Sequence, residues 1–273
     1  MLDASRPGLY AFPIFVLLIA LEAWRRRRIG GDYPWRDAAA SLGVAIGHKL
    51  TGAVNAAALA GLFALAWEHR LVTVPLDGWW GAPVLFLAVE FAYYWFHRSS
   101  HRVRWLWATH AVHHSPTDLN FSAAYRLGWT SLVSGAWAFW LPLVALGFHP
   151  AAVFGTLAFN LLYQFWMHTE LIGRLPRWFE WAFNTPSHHR VHHASNEGYL
   201  DRNYGGVLIV FDRLFGSFAE ERASEPCRYG VPGRQPSRNP FVIAFAEWAA
   251  LARDVARAPT WRIRAAAAFG PPP

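Results

Sequence analysis

The stretch SHHRVHHASN places four histidines, His188, His189, His192 and His193, in six positions of a chain that has 13 histidines among 273 residues. Imidazole binds transition metals and moves protons near neutral pH, so a dense group of them points to metal or proton chemistry. Two further groups lie upstream, His97 and His101 in HRSSH, and His110, His113 and His114 in HAVHH. On a helix, residues four apart point the same way, and residues three apart are near neighbours. The spacing therefore sets His97 above His101, His110 beside His113 and His114, and His189 beside His192 and His193. Eight imidazoles exceed the coordination of a single ion, so two metal ions sharing the cluster is the expected arithmetic. These eight are the candidate catalytic residues and metal ligands.

A ninth candidate ligand is His168. Asn160, Gln164 and His168 recur every four residues along an apolar run, and a polar stripe in such a run marks function by default. Gln164 is a candidate to hold a water or a ligand histidine. His48, His69 and His149 stand alone and are expected to be structural, whereas His188 fits either role. Glu90, Glu170 and Asp118 are candidates to orient histidines by accepting their distal N–H. Tyr93, Tyr94, Trp95, Trp105 and Trp107 flank the first two groups, as walls of a lipid slot or as an interfacial aromatic belt. No H-E-x-x-H motif supplies the glutamate base of a zinc protease, and the Glu-x-x-His pairs of a ferritin-type site are missing. The single cysteine, Cys227, removes cysteine-based zinc and iron–sulfur sites. Haem held by histidines of two membrane spans is the competing reading.

Composition places the elements that carry these groups in a membrane. Hydrophobic residues make up 54% of the chain and charged residues 16%, with 16 Trp and 20 Phe, which is too apolar for an ordinary water-facing surface. Apolar runs of spanning length, about 17 to 25 residues, are predicted at residues 9–24, 42–67, 79–96, 129–148 and 151–172. The expected fold is an all-α integral membrane protein with about five transmembrane helices and a cytoplasmic histidine-rich di-metal cap. Four spans, or a re-entrant segment, are the alternatives. The first run has its positive charges after it and no small-residue cleavage site, so it reads as an uncleaved span.

If RRRR at residues 25–28 is cytoplasmic, residues 97–128 and those from 173 onward are cytoplasmic as well. These carry Arg98, Arg102, Arg104, Arg126, Arg174, Arg177 and Arg190, while the opposite side offers little beyond Arg70. All three histidine groups then share the cytoplasmic side of a multi-pass protein. The net charge of +7 is explained by this orientation, and no nucleic-acid partner is expected.

Three regions follow: residues 1–78 with the N-terminal spans and a connecting loop, residues 79–218 with the histidine groups, and residues 219–273 as a cytoplasmic or interfacial segment. In the second, NYGGVLIVFDRLFGSF is a short apolar segment broken by Gly205 and Gly206 that is expected to pack under the histidines. In the third, PFVIAFAEWAALARDVAR has helical spacing and the GPPP tail is expected to be disordered.

These residues resemble the fatty acid hydroxylase and sterol desaturase superfamily, whose members carry H-x-x-x-H and two H-x-x-H-H boxes around a di-iron centre in membrane proteins. EFAYYWFHRSSH, THAVHHS, NLLYQFWMHTE, NTPSHHRVHH and DRNYGGVLIVFDRLFGSF look like its alkylglycerol monooxygenase branch, and the resemblance runs from about residue 90 to residue 218. It implies that His97, His101, His110, His113, His114, His189, His192 and His193 are iron ligands, with His168 beside them. It also implies an oxygen-dependent monooxygenase that holds two iron ions and hydroxylates a lipid. In that branch the hydroxylated carbon lies next to an ether oxygen, and the resulting hemiacetal breaks to an aldehyde and a glycerol derivative. Its animal members use tetrahydrobiopterin. The chain has no G-x-G-x-x-G motif, so an external electron source, tetrahydrobiopterin or a redox protein, is expected. Where the branch usually has an acid directly after the second histidine of its first box, this chain has Arg102. A sterol or carotenoid hydroxylase or desaturase of the same superfamily is the rival enzyme. A non-catalytic membrane metal or haem electron-transfer protein is the rival from another class.

Overall fold

The computed structural model describes residues 7–273, with side chains from residue 13 onward, so the first six residues of the N-terminal region lie outside the described residues. The described residues form helices and no strand. They are α1 (Pro7–Arg28), α2 (Trp35–Glu68), α3 (Gly81–Arg102), α4 (Arg104–His114), α5 (Ser131–Ser134), α6 (Leu141–Leu146), α7 (Pro150–Phe165), α8 (Arg177–Ala182), α9 (Pro186–His193), α10 (Val210–Leu214), α11 (Pro240–Arg257) and α12 (Trp261–Phe269).

Among the described residues one helix, α2, is both long and apolar enough to cross a membrane, at 34 residues. Its apolar residues point outward: Leu42, Ile46, Leu50, Val54 and Leu65 are each more than half exposed. A helix of a water-soluble protein would turn such a stripe into a core, so this surface is built to meet lipid.

The predicted span at 129–148 is not one helix. It is cut into α5, a 3-10 turn at Ala136–Phe139, and α6. The cuts fall at Gly135 and Trp140, and Gly147 ends α6; the two glycines have φ values of +79° and +120°, which are open to glycine at little steric cost. At Gly147 a Cβ would also strike the Val72 carbonyl, so the chain must reverse there without a side chain. The predicted span at 151–172 is shorter than expected, because α7 ends at Phe165 after 16 residues. The core between these pieces is Phe63 of α2, Leu85, Val89 and Tyr93 of α3, Trp140, Leu143, Val144, Phe148, and Val153 of α7.

Two joints position the histidines. Between α3 and α4 only Val103 is extended, at φ −120° and ψ 114°, so the chain folds back sharply and the end of α3 faces α4. Short α9 begins with Pro186, whose missing N–H costs nothing in a first turn, after the extended Thr185. The segment PFVIAFAEWAALARDVAR is the helix α11, capped by the Asn239 side chain on the Phe241 N–H, and it packs against α4, α2 and α12. RRRR closes α1, but Arg26 turns inward: it donates to Asp118 at 2.9 Å and to the Leu119 carbonyl. One of the four charges used to orient the chain thus serves the fold.

Candidate metal centre

Nine histidines meet as two adjacent clusters. His97, His101, His110, His114 and His192 form one, and His113, His168, His189 and His193 form the other, with the candidate ligand atoms of each within 4.8 Å of one another. All nine expected ligands are therefore brought together, His168 included. The partition differs from the simple reading of the spacing. Residues four apart share a cluster, as His97/His101, His110/His114 and His189/His193 do, while the residue at i+3 crosses to the other cluster. His113 leaves His110, and His192 leaves His189. The physical reason is angular: on a helix, i+3 and i+4 lie on opposite sides of the direction set by residue i.

Backbone carbonyls fix the rings. His113 Nδ1 donates to the Arg126 carbonyl at 3.2 Å, and His168 Nδ1 to the Gln164 carbonyl at 2.9 Å. A carbonyl only accepts, so in both rings the proton is on Nδ1 and Nε2 is a bare lone pair. Those two Nε2 atoms face each other at 3.3 Å. Two lone pairs held that close in a buried site repel unless a cation lies between them. The first cluster repeats the pattern: His97 Nδ1 donates to the Tyr204 carbonyl at 2.8 Å and His192 Nδ1 to the Arg202 carbonyl at 2.9 Å. The inward Nε2 atoms of His101 and His192 are buried and have no protein partner.

Distances give a second test. Imidazole nitrogens at about 2.1 Å from one ion lie about 3.0 to 3.4 Å apart when they are neighbours in its coordination shell. The Nε2 separations are 3.0 Å for His97–His110, 3.3 Å for His110–His114, 3.1 Å for His168–His189 and 3.1 Å for His189–His193. The donor set, neutral nitrogen without thiolate or carboxylate, fits a first-row transition metal in each cluster. Burial keeps the rings in that neutral form. It pushes His113 down to about 4 and holds His114, His189, His192 and His193 well below the ordinary histidine range. Ring centroids 4.3 Å apart at His168–His189 and 4.4 Å apart at His97–His192 leave no flat gap for a haem.

The other expected residues sort differently. His188 is buried beside His189 but points away, its ring edge on Phe218 at 5.2 Å and its Nε2 3.9 Å from Glu180. His48 bonds the Gly128 carbonyl, His69 the Leu65 carbonyl, and His149 caps α7, which are the structural roles expected. Glu90, Glu170 and Asp118 do not touch a ligand histidine. Glu90 accepts from Asn160 and from the backbone N–H groups of Val207 and Leu208, Glu170 accepts from Tyr229, and Asp118 pairs with Arg26. Gln164 holds His168 through its backbone carbonyl, while its side chain bonds Tyr93 and Asn160. Tyr93, Tyr94 and Trp107 are buried around the clusters, with Trp107 5.2 Å from His101. Trp95 packs on Phe215, and Trp105 on Trp248 and Phe269.

The anchoring carbonyls of Arg126, Arg202 and Tyr204 have no signature in a sequence, because every residue carries the same group. Asp201 was also missed. Its carboxylate accepts from Arg102 at 2.6 Å and stands 3.9 Å from His101 Nδ1, so an acid does lie beside the first box, delivered from a distant loop.

Residues 82–217 match the family model described as fatty acid hydroxylase. The chain is 39% identical to alkylglycerol monooxygenase of Homo sapiens over 86% of its own length and 52% of the relative's. It is 37% identical to that of Xenopus tropicalis over 88% and 52%. An ornithine lipid hydroxylase of Rhizobium tropici is 29% identical over 53% of the chain and 44% of the relative. The chain thus spans about half the length of the alkylglycerol monooxygenases it matches. No solved structure matches it significantly. With the boxes, their spacing and the matched segment coinciding, the chain belongs to the fatty acid hydroxylase family.

Proposed function

We propose that this protein is a membrane-bound di-iron monooxygenase that hydroxylates a C–H bond of a lipid with O2, and that its substrate is an ether lipid cleaved at the alkyl bond. The observation that carries the reading is the pair of clusters, in which lone pairs with no proton between them face each other across a gap of metal-binding size. His97, His101, His110, His114 and His192 are the proposed ligands of one iron, and His113, His168, His189 and His193 those of the other. Iron bound there would supply the activation of dioxygen that no side chain can perform. The protein's share is to hold nine neutral imidazoles, to keep water away by burying them, and to bring a lipid carbon alongside.

Apolar outward faces support several membrane helices rather than one. Ile14, Leu17 and Leu21 on α1, Leu87 and Phe91 on α3, and Phe159 and Leu162 on α7 are all about half exposed. At 22 residues each, α1 and α3 are about 33 Å long and carry RRRR and the first histidine box at their C-terminal ends, where the boundary is placed. We place the clusters at the cytoplasmic boundary, where the tail of an amphipathic lipid stays in the bilayer. Residues 79–218 are the proposed catalytic region, flanked by 1–78 and by the helices of 219–273. The reductant is external, tetrahydrobiopterin or a redox protein, since the chain has neither a dinucleotide motif nor cysteines for a cluster.

The test combines metal content of detergent-purified protein from iron-supplemented cells with product analysis on a 1-O-alkylglycerol under O2 and tetrahydrobiopterin. About two irons per chain and release of a fatty aldehyde are expected. Two irons with a hydroxylated but uncleaved lipid would keep the monooxygenase and reject the ether substrate, and a chain that takes up no iron would reject both.

A further inference from the structure

The two clusters are held by different parts of the chain, and one of those parts is itself held by a buried carboxylate. Residues 202–208 supply both carbonyls that fix the five-histidine cluster, Tyr204 to His97 and Arg202 to His192. This loop does not hold its shape by regular structure. Asp201 and Asn203 sit at φ +61° and +57°, left-handed conformations that few residues with a side chain adopt. A strained loop keeps one conformation only when its surroundings impose it.

Asp212, at 0% exposure, is the centre of that restraint. Its Oδ1 accepts from the Tyr204 N–H and its Oδ2 from the Gly205 N–H, both at 2.7 Å, and the Ser217 hydroxyl donates to Oδ1 at 2.7 Å. The network closes on the helix that bears the ligand. Arg98, next to His97, donates to the Tyr94 hydroxyl, which leaves that hydroxyl free to donate to Ser217. On the far side, Glu90 takes two further backbone donors of the loop, Val207 and Leu208, at 2.9 Å each. Gly205 and Gly206 make the approach feasible: a Cβ at Gly205 would strike the Leu208 carbonyl and one at Gly206 the Asn160 amide. The four-histidine cluster is anchored elsewhere, on the carbonyls of Arg126 and Gln164.

We propose that Asp212 is a positioning residue for the five-histidine cluster, acting through the 202–208 loop to set the tautomer and aim of His97 and His192 without touching either ring. The inference rests on the reading that the clusters hold metal ions. An Asp212→Asn change keeps the shape but replaces one acceptor oxygen with an NH2 group. Whichever way the amide turns, the Tyr204 or the Gly205 N–H then faces a donor, and the strained loop loses a restraint.

The experiment is anaerobic titration of the full-length, metal-stripped protein in detergent with ferrous iron, read by bound iron per chain and by Mössbauer spectra that count the two environments. Wild type is expected to fill both sites. Asp212→Asn should keep one site unchanged and weaken the other by about 10- to 100-fold, the effect typical of groups that orient metal-bound histidines. Unchanged filling of both sites, or equal weakening of both, overturns the proposal, the second result marking a general role in the fold. Should Asp212→Asn fail to fold, Ser217→Ala removes one donor and leaves both backbone bonds. It should weaken the same single site by a smaller factor, and equal weakening of both sites or none is again fatal. A wild-type chain that fills no second site overturns the metal reading itself, and this proposal with it.

Discussion

The five-histidine and four-histidine clusters lie side by side yet are built on different principles. The first gathers ligands from α3, α4 and α9 and leans on a strained loop, and one of its members, His110, is only partly buried. The second takes His113 from α4, His168 just beyond α7, and His189 and His193 from α9, and all four are buried. Its anchors are the carbonyl of Gln164, inside α7, and that of Arg126, whose guanidinium is pinned by Ser41 and Ser115. With four protein nitrogens against five, an ion held in the second cluster would have more coordination positions left for small molecules. The lesson is that boxes with the same helical spacing fold into an unequal pair of clusters, one with more nitrogens and anchored on a strained loop, the other with fewer and fully buried.

The sharpest way to break this comparison is to remove a ligand from each side. His113→Ala leaves three nitrogens in the second cluster and is expected to lose that ion and at least about a hundredfold in turnover, judged by the larger end of measured losses around metal sites. His110→Ala leaves four nitrogens in the first and should cost less, and equal losses in iron content and product yield would erase the distinction.

A second test uses acid. Folding lowers His113 from 6.5 to about 4, so the unfolded chain binds a proton that the folded chain refuses. The stability this ring contributes is complete above pH 6.5 and is lost as pH falls through the window down to about 4, a change of roughly 3 kcal/mol for one fully buried ring. His188, also lowered to about 4 but outside both clusters, adds to the same window. Thermal unfolding of metal-free protein from pH 8 to pH 4 should show a steep decline, and a flat profile would mean that the rings are not buried as neutral groups.

Gly206→Ala should destabilise the protein by about 1 to 3 kcal/mol, because the new methyl meets the Asn160 amide in a packed interior. Its effect on iron affinity should fall on the five-histidine side, which site-resolved spectra would show. The smallest effect is expected from Arg102→Ala. That side chain is 55% exposed and its ion pair with Asp201 lies at the surface, so chemical unfolding should shift by less than about 1 kcal/mol.

The sequence makes the ligands legible because their signal is local: residues three and four apart on a helix need no knowledge of the rest of the chain. His168 shows itself by the same periodicity, in step with Asn160 and Gln164. The extent of α11 is legible in its helical spacing. What hydropathy misses at 129–148 is chain direction. An apolar run has the same average whether it continues or turns, and Gly135 and Gly147 turn it through backbone conformations that average cannot register. The orienting groups escape for another reason. Glu90, Glu170 and Asp118 are expected to accept the distal N–H of histidines, whereas the chain uses peptide carbonyls brought in from residues 126, 164, 202 and 204.

The crossing of His113 and His192 into the opposite clusters has a mechanical consequence. Because α4 and α9 each contribute to both sites, turning either helix about its axis cannot move one site alone: it acts as a gear engaging two wheels. The angular offset between neighbouring teeth of a helix, a quantity fixed by peptide geometry, then contributes to both sites at once. A protein built this way cannot retune one half of its centre by turning a helix; a change confined to one half has to come from a single ligand or from the loop that anchors it.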